Sequence, residues 1–279
     1  MEHEKIDQLK SYFAGRDDVL LAYLFGSQAR GEPHTHSDWD VAVYFKPRTG
    51  ALEYQTGEYY DAEGEIQNDL ARMLNADIDL IVINHAPATI VFSALRGIEL
   101  AQKDYWSYST LLLQSMFDAI DYRAVVQDYF QIAARSQSLN PIDKDRVAKI
   151  STFLVNEVHD LEKLIEMNQL VYQQDKNMQR SLDRCVENVA NATIDIAKIL
   201  VSSNKIHLPE TYEQMILALQ AVDDFDPTHA EALSKSASMR NLLAHQYLDL
   251  RFRGIAAFVQ KTLPSFKYLC SFLVELLKP

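Results

Sequence analysis

The chain of 279 residues is long enough for one large domain or two ordinary ones, and 48% hydrophobic with 24% charged residues is typical of a folded soluble protein. Its formal net charge of -12 argues against a general electrostatic nucleic-acid binder, so any contact with RNA would need a local basic patch. The 2 cysteines exclude a disulfide framework, and the absence of a signal peptide and of a long apolar run predicts a cytoplasmic protein without a membrane span.

The first hundred residues alternate between strand-like and helical segments. Three runs of β-branched, aromatic and other apolar residues have the length of buried strands: Val19–Phe25, Val41–Phe45 and Ile78–Ile83. Between the last two, Glu58–Asn75 carries apolar residues at helical spacing. This alternation fits a small α/β or α+β domain with three core strands over residues 1–104, and we predict the α+β class.

From residue 105 onward, apolar residues recur every three or four positions, which is the period of amphipathic helices. The clearest such stretches are Leu111–Ala134, Val147–Leu170, Leu182–Leu200 and Ala256–Leu277. Breaks fall at three prolines, Pro141, Pro209 and Pro227, where new helices can begin. We therefore predict a linking helix and linker over residues 105–140 and an all-α bundle over residues 141–279.

A possible phosphate-binding turn and a pair of aspartates lie between the first two predicted strands, in the segment GSQARGEPHTHSDWD. Gly26 and Ser27 follow the first strand directly, where a residue without a side chain lets backbone N–H groups approach a phosphate. Ser27 adds a hydroxyl donor, and Arg30 adds a guanidinium suited to phosphate oxygens. Asp38 and Asp40 are two apart on an extended segment, so both side chains leave on one face.

These aspartates predict a metal site. Neighbouring carboxylates repel each other unless a cation neutralises them, and Mg²⁺ binds through carboxylates and substrate phosphates. A third acid, Asp79, lies in the next strand with apolar residues on both sides, whereas Asp77 stands nearer the end of that strand. Carboxylates on neighbouring strands could hold two ions, one to activate an attacking hydroxyl and one to steady a triphosphate. The candidate metal ligands are Asp38, Asp40 and Asp79.

The order strand, GSxARG, five residues, SDxD and a later strand aspartate resembles the DNA polymerase β nucleotidyltransferase superfamily, and within it the minimal branch that includes the MntA antitoxins. The resemblance covers about residues 1–104 and implies a Mg²⁺-dependent enzyme with ATP as substrate. It implies that Gly26 and Ser27 bind the triphosphate. It also implies that Asp38, Asp40 and Asp79 carry the metal ions, with Asp79 as the base toward the incoming hydroxyl.

A second polar cluster, RNLLAHQY, lies in the predicted helix that follows Pro227. Asn241 and His245 are four apart and share one helix face. Arg240 and His245 are five apart, about 140° around an ideal helix, so a joint site would need a bend or a second copy of the chain. An arginine to hold a phosphate and a histidine to move a proton are the groups that metal-free RNA cleavage through the 2′-hydroxyl requires.

RNLLAHQY resembles the Rx4HxY motif of the HepT ribonucleases of the HEPN superfamily, and the stretches LDRCVENVANATIDIAKIL and LPETYEQMILAL resemble the helices before that motif. The resemblance covers about residues 141–260. It implies that Arg240 and His245 are the ribonuclease pair, that Asn241 fills the polar position after the arginine, and that two chains pair through this domain. In that family an MntA partner silences HepT by transferring AMP to the motif tyrosine, here Tyr247. The two proteins are normally separate chains, whereas here both lie on one.

Three functions stay open at this point. The leading hypothesis is a fused toxin–antitoxin protein whose first domain transfers AMP to Tyr247 and so silences an RNA-cleaving second domain. The alternative is a small-molecule nucleotidyltransferase of the aminoglycoside-modifying kind, in which the helices line the acceptor pocket. A third is a helical dimerisation module beside a degenerate nucleotide-binding domain. The intact GSxARG and SDxD pattern favours an active first domain.

Overall fold

The computed structural model describes residues 2–30, 38–48, 52–55, 59–135, 138–164, 169–245 and 251–278, and at a few helical positions beside the gaps it describes the backbone alone. The chain divides into two compact units, Met1–Arg123 and Ala124–Pro279. The division falls inside one long helix, within the segment 105–140 that the sequence predicts as the link.

The first unit is built on a sheet whose strands are β1 (Val19–Phe25), β2 (Trp39–Phe45), β3 (Ile78–Val82) and β4 (Ile98–Gln102). Among the described residues the spatial order is β3-β2-β1-β4, with β2 parallel to β3 and β1 antiparallel to both β2 and β4. The three predicted strands are present. β4 is a strand that sequence analysis missed, because Leu100 is its one buried residue and no apolar run marks it.

Alternating side chains of this sheet enter two hydrophobic layers. The helices around the sheet are α1 (Glu2–Ala14), α2 (Gly26–Arg30), α3 (Glu63–Leu74), α4 (Ala88–Ala94) and the first part of α5 (Tyr105–Arg135). Trp39, Val41 and Val43 pack in the layer with residues of α1 and α3. Ala42 and Tyr44 pack in the opposite layer with residues of α4 and α5. Asp40 alternates with Trp39 and Val41, so its side chain leaves on the second face.

The second unit is helical. The rest of α5 is followed by α6 (Pro141–Leu164), α7 (Gln169–Gln174), α8 (Lys176–Ser203), α9 (Tyr212–Leu217), a 3₁₀ turn (Ala218–Ala221), α10 (Pro227–His245) and α11 (Arg251–Leu276). α6 packs against α8 and α11, and α10 packs against α8, α9 and α11. The predicted fold class, an α+β domain before a helical bundle, is confirmed. Within the described chain, no helix has both the length and the apolar character that crossing a bilayer demands.

Charged side chains tie α5, α6 and α8 together inside the second unit. The fully buried Asp143 accepts a hydrogen bond of 2.7 Å from Arg135, at the end of α5. Asp128 accepts from Arg146 of α6 at 2.7 Å and from the buried Lys198 of α8 at 2.9 Å. Burial disfavours the Asp128 charge, but the bonds from Arg146 and Lys198 outweigh it and hold the pKa of Asp128 below its ordinary value. This network sets the packing of three helices.

Candidate active site

The sheet brings two of the predicted acids side by side. Asp40 of β2 and Asp79 of β3 are direct partners in the parallel ladder. Adjacent strands lie about 4.8 Å apart and partnered side chains leave on the same face, so the two carboxylates are neighbours. Next to them the N–H of Trp39 donates a hydrogen bond of 2.9 Å to the carbonyl of Asp77, which fixes the start of the ladder. Asp38 precedes β2 directly and is exposed, as is Asp79, whereas Asp40 is partly buried.

Gly26 approaches this pair from β1. Phe25, the last residue of β1, is the antiparallel partner of Asp40, and the chain turns at Gly26 with φ of 71°. A Cβ atom on Gly26 would lie 1.8 Å from Oδ2 of Asp40. Glycine is therefore required here both by the left-handed backbone and by the contact with the carboxylate. The main chain at Gly26, which carries no side chain, therefore lies directly beside the Asp40 carboxylate.

The segment GSQAR forms a short helix where sequence analysis expected a tight turn. α2 runs over Gly26–Arg30, because the residues after the glycine include Gln28, Ala29 and Arg30, which favour helix. Ser27 and Arg30 are three apart and so lie on the same side of this helix. Arg30 is exposed, and its positive charge acts on Asp40.

The surroundings of Asp40 disfavour its negative charge. Burial raises the pKa of Asp40, and the neighbouring carboxylates of Asp79 and Asp38 raise it further. The Arg30 guanidinium acts in the opposite direction without cancelling the rise. A cation bound between these acids would remove the repulsion, so the site is electrostatically prepared for one.

The donor set suits Mg²⁺ that is held jointly with a substrate. Asp38, Asp40 and Asp79 offer the carboxylate oxygens that this ion prefers. Within the described residues, however, no group of three or more His, Cys, Asp and Glu side chains is arranged to hold a metal ion by itself. Mg²⁺ usually binds through one or two carboxylates and completes its shell with water and phosphates. The adjacent pair Asp40 and Asp79, beside the open backbone of Gly26, fits an ion completed by a nucleoside triphosphate.

The second predicted cluster lies at the end of α10. Arg240 is partly buried, and its guanidinium carbon lies 5.0 Å from the ring centroid of Tyr212, the first residue of α9. Asn241 and His245 continue the backbone of α10, but their side chains fall outside the described part of the chain, and so does all of Tyr247. The pairing of Arg240 with His245 therefore stays a prediction. Tyr212 could not be predicted from the sequence, because the spacing of residues along one helix gives no sign of a partner on another helix.

The two units match two different family models. Residues 7–105 match the family described as Polymerase beta, Nucleotidyltransferase. Residues 154–273 match the family described as Ribonuclease HepT-like. The sheet with its paired acids and the first match together define a polymerase β-type nucleotidyltransferase domain. The chain therefore joins a region that matches the first family to a region that matches the second, and the two resemblances seen in the sequence are confirmed at the level of these two families.

Solved structures give a weaker similarity, with 7 matching chains. One is described as "Crystal structure of the toxin-antitoxin with AMP-PNP"; it is 22% identical, and the match covers 46% of this chain and 98% of that one with a TM-score of 0.34. Another is a mutant of the toxin-antitoxin MntA-HpeT, 21% identical, with 46% and 97% covered and a TM-score of 0.33. No curated protein matches. The family models, not these structures, carry the assignment.

Proposed function

We propose that this chain silences its own ribonuclease by adenylylation. The first unit transfers AMP from ATP to Tyr247, and the HepT-like unit cleaves RNA while Tyr247 is unmodified. The observation that carries the transfer is the pairing of Asp40 with Asp79 in the parallel ladder, with Gly26 against Asp40. The presence of both domains on one chain supports the choice of acceptor, since each transferase then comes with one HepT-like unit.

The transfer is an in-line displacement at phosphorus. The phenolic oxygen of Tyr247 attacks the α-phosphorus of ATP, a new oxygen–phosphorus bond forms, and the bond to pyrophosphate breaks. Pyrophosphate leaves, and the phenolic proton passes to a base, the role that we assign to Asp79. A phenol suits this role because it ionises more readily than a serine or threonine hydroxyl.

The other residues of the site hold the nucleotide. Gly26 offers its backbone to the triphosphate, Ser27 its hydroxyl and Arg30 its guanidinium. Bound Mg²⁺ would neutralise the charge that builds on the phosphates. The acids that would hold it are Asp38, Asp40 and Asp79.

The ribonuclease half of the proposal needs no metal. Arg240 holds the scissile phosphate, and His245 moves the proton of the attacking 2′-hydroxyl. Asn241 is the polar residue beside the arginine. Adenylylation of Tyr247 adds a bulky, negatively charged group two residues after His245, which repels the phosphates of RNA and blocks access.

A transfer experiment between two variants tests the first half. The acceptor is the Asp40→Asn chain, and the enzyme is a Tyr247→Phe chain of different tagged mass; both are incubated with Mg²⁺ and ATP labelled at the α-phosphate. We expect label on the Asp40→Asn chain, at Tyr247 after peptide mapping, and none on either chain alone. This outcome also establishes transfer between copies, as expected for a homodimer through the helical unit. If the two variants are co-expressed and the Asp40→Asn chain still carries no AMP, while wild type does, transfer instead occurs within one chain.

Two results would contradict the proposal. If no protein becomes labelled but a soluble aminoglycoside does, the chain is a small-molecule nucleotidyltransferase. If Tyr247→Phe and wild type acquire label equally, the acceptor is another residue. The second half is tested with the unmodified Asp40→Asn chain, which we expect to degrade RNA, whereas the same chain carrying His245→Ala leaves RNA intact.

A further inference from the structure

A tyrosine from another helix contacts the arginine of the second cluster. The guanidinium carbon of Arg240 lies over the ring of Tyr212 at 5.0 Å from its centroid, within cation–π range. Arg240 belongs to α10 and Tyr212 to α9, and the two helices pack against each other. Both side chains are partly buried, where such a contact is stronger than at a fully exposed site.

The position of the Tyr212 ring is fixed by the first turn of α9. Thr211 caps this helix, since its hydroxyl accepts a hydrogen bond of 3.1 Å from the N–H of Gln214. Met215 and Ile216, in the same short helix, are fully buried. The ring therefore sits on an anchored turn and not on a free loop.

A second contact joins the same two helices without touching the arginine. Lys235 of α10 donates a hydrogen bond of 2.6 Å to Glu213 of α9. The Lys235 side chain is 52% exposed and the Glu213 side chain 36%, so solvent screens the pair and it contributes little to stability. It offers a matched control, because it links α9 to α10 one position away from Tyr212.

An aromatic partner suits an arginine that must bind a phosphate. The face of a ring attracts the guanidinium cation and leaves its positive charge in place. The contact also restricts a long side chain with several rotatable bonds, so less conformational entropy is lost when the phosphate binds. Tyr212 can thus orient Arg240 without neutralising its charge.

We propose that Tyr212 is a positioning residue of the ribonuclease site and holds Arg240 toward the scissile phosphate of an RNA chain. This inference rests on the ribonuclease half of the proposed function. The ring acts through Arg240 and takes no part in proton transfer. Because negative charge on the phosphate builds in the transition state, a misplaced Arg240 lowers kcat more than it weakens RNA binding.

The test compares ring-keeping and ring-removing variants in the full Asp40→Asn chain, whose Tyr247 stays unmodified. The probe is mixed-sequence single-stranded RNA with a fluorophore and a quencher. We expect Tyr212→Leu to lower kcat about three- to thirtyfold, the range that corresponds to a cation–π contact, with KM changed less than about twofold. Tyr212→Phe keeps the ring and should retain cleavage, and so should the control Lys235→Met.

A double substitution shows whether Tyr212 acts through Arg240. The double variant is measured by single-turnover cleavage. In the Arg240→Gln background, Tyr212→Leu should lower the cleavage rate less than about twofold, because the group that Tyr212 positions is gone. Four results overturn the inference: Tyr212→Leu as active as the parent, Tyr212→Phe as defective as Tyr212→Leu, Lys235→Met as defective as Tyr212→Leu, or equal losses with and without Arg240. A parent chain that leaves RNA intact refutes the ribonuclease assignment itself, and the positioning role falls with it.

Discussion

The two candidate functional regions of this chain are assembled by different means. In the first unit, the register of a parallel ladder places Asp40 beside Asp79, so the backbone hydrogen bonds of the sheet determine which carboxylates meet. In the second unit, Arg240 meets Tyr212 through side-chain packing between α9 and α10. Where strand register sets a site, we expect substitutions of the paired residues to abolish it and substitutions elsewhere in the sheet to be tolerated. A site set by packing between helices depends on how those helices are held.

The largest effect on activity is expected for Asp40, which the strand register pairs with Asp79. Under the proposed function, Asp40→Asn should lower AMP transfer by about a thousandfold or more, since it removes a carboxylate that we propose binds the metal ion. Incorporation of α-labelled ATP into protein measures it. Asp77→Asn is the control, because Asp77 is exposed and precedes β3, and it should transfer AMP as wild type does. Equal losses in the two variants would mean that the ladder does not select the active acid.

The next largest effect is expected for Gly26, whose main chain contacts Asp40. Gly26→Ala forces a Cβ atom against Asp40, 1.8 Å from Oδ2, and makes a φ of 71° unfavourable. We expect transfer to fall about a hundredfold, as for a misplacement of about 1 Å, and stability to fall by about 1–2 kcal/mol.

Gly64→Ala is the matched control for that change. Gly64 lies in the first turn of α3, where an added Cβ atom meets nothing within 4 Å. Transfer should stay at the wild-type level, and urea unfolding should show equal or slightly greater stability. A normal transfer rate in Gly26→Ala would contradict the close approach of backbone to acid.

The helical unit should respond to the loss of the charges that hold its helices. Asp128→Asn removes the shared partner of Arg146 and Lys198 and should cost about 2–3 kcal/mol, measured by urea unfolding followed by circular dichroism. The control is Asp145→Asn, which breaks only the exposed pair with Lys149 and should cost less than about 0.5 kcal/mol.

The stabilisation of the helical unit by Asp128 should depend on pH. The pKa of Asp128 is lowered in the folded chain, so its contribution is present above the ordinary aspartate pKa of about 3.9 and is lost as the pH falls below that value. Wild type should therefore approach the stability of Asp128→Asn in acid. A difference that stays constant down to the lowest pH would show that the Asp128 charge is not involved.

The smallest expected effect is on the stability of the first unit, where neutralising Asp40 should stabilise the fold, in contrast to Asp128. The pKa of Asp40 is raised, so the folded chain binds its proton more tightly than the unfolded chain does, and the charged carboxylate lowers stability at neutral pH. In metal-free buffer, Asp40→Asn should raise Tm by about 1–3 °C at neutral pH. The gain should shrink as the pH falls through the raised pKa of Asp40. A lower Tm in the variant would contradict the repulsion between these acids.

Much of the first unit could be predicted because its signals are local. The strand Val19–Phe25 was predicted with its observed bounds, since strands buried on both faces form continuous apolar runs. The pairing of the acids on β2 and β3 followed from the motif, but their exact register did not. β4 was missed because tertiary pairing, not its own sequence, makes it a strand. The short helix α2 was missed because the positive φ of Gly26 ends one strand and lets a helix begin at once.

Less of the second unit could be predicted. Helical periodicity located α6, α8 and α11; α6 buries one face, whereas the last two turns of α8 are buried on all sides. Periodicity does not say which side chain of one helix meets which side chain of the next, so neither the contact of Arg240 with Tyr212 nor the network around Asp128 was foreseen.

The most direct test of the central claim is an intact-mass spectrum of the chain as it is expressed. We predict that wild type is heavier than its sequence by a whole number of AMP units, while Asp40→Asn and Tyr247→Phe have the mass of the bare sequence. A wild-type chain without added mass that also fails to take up label from ATP and Mg²⁺, or a Tyr247→Phe chain that still carries AMP, would contradict self-adenylylation at that tyrosine.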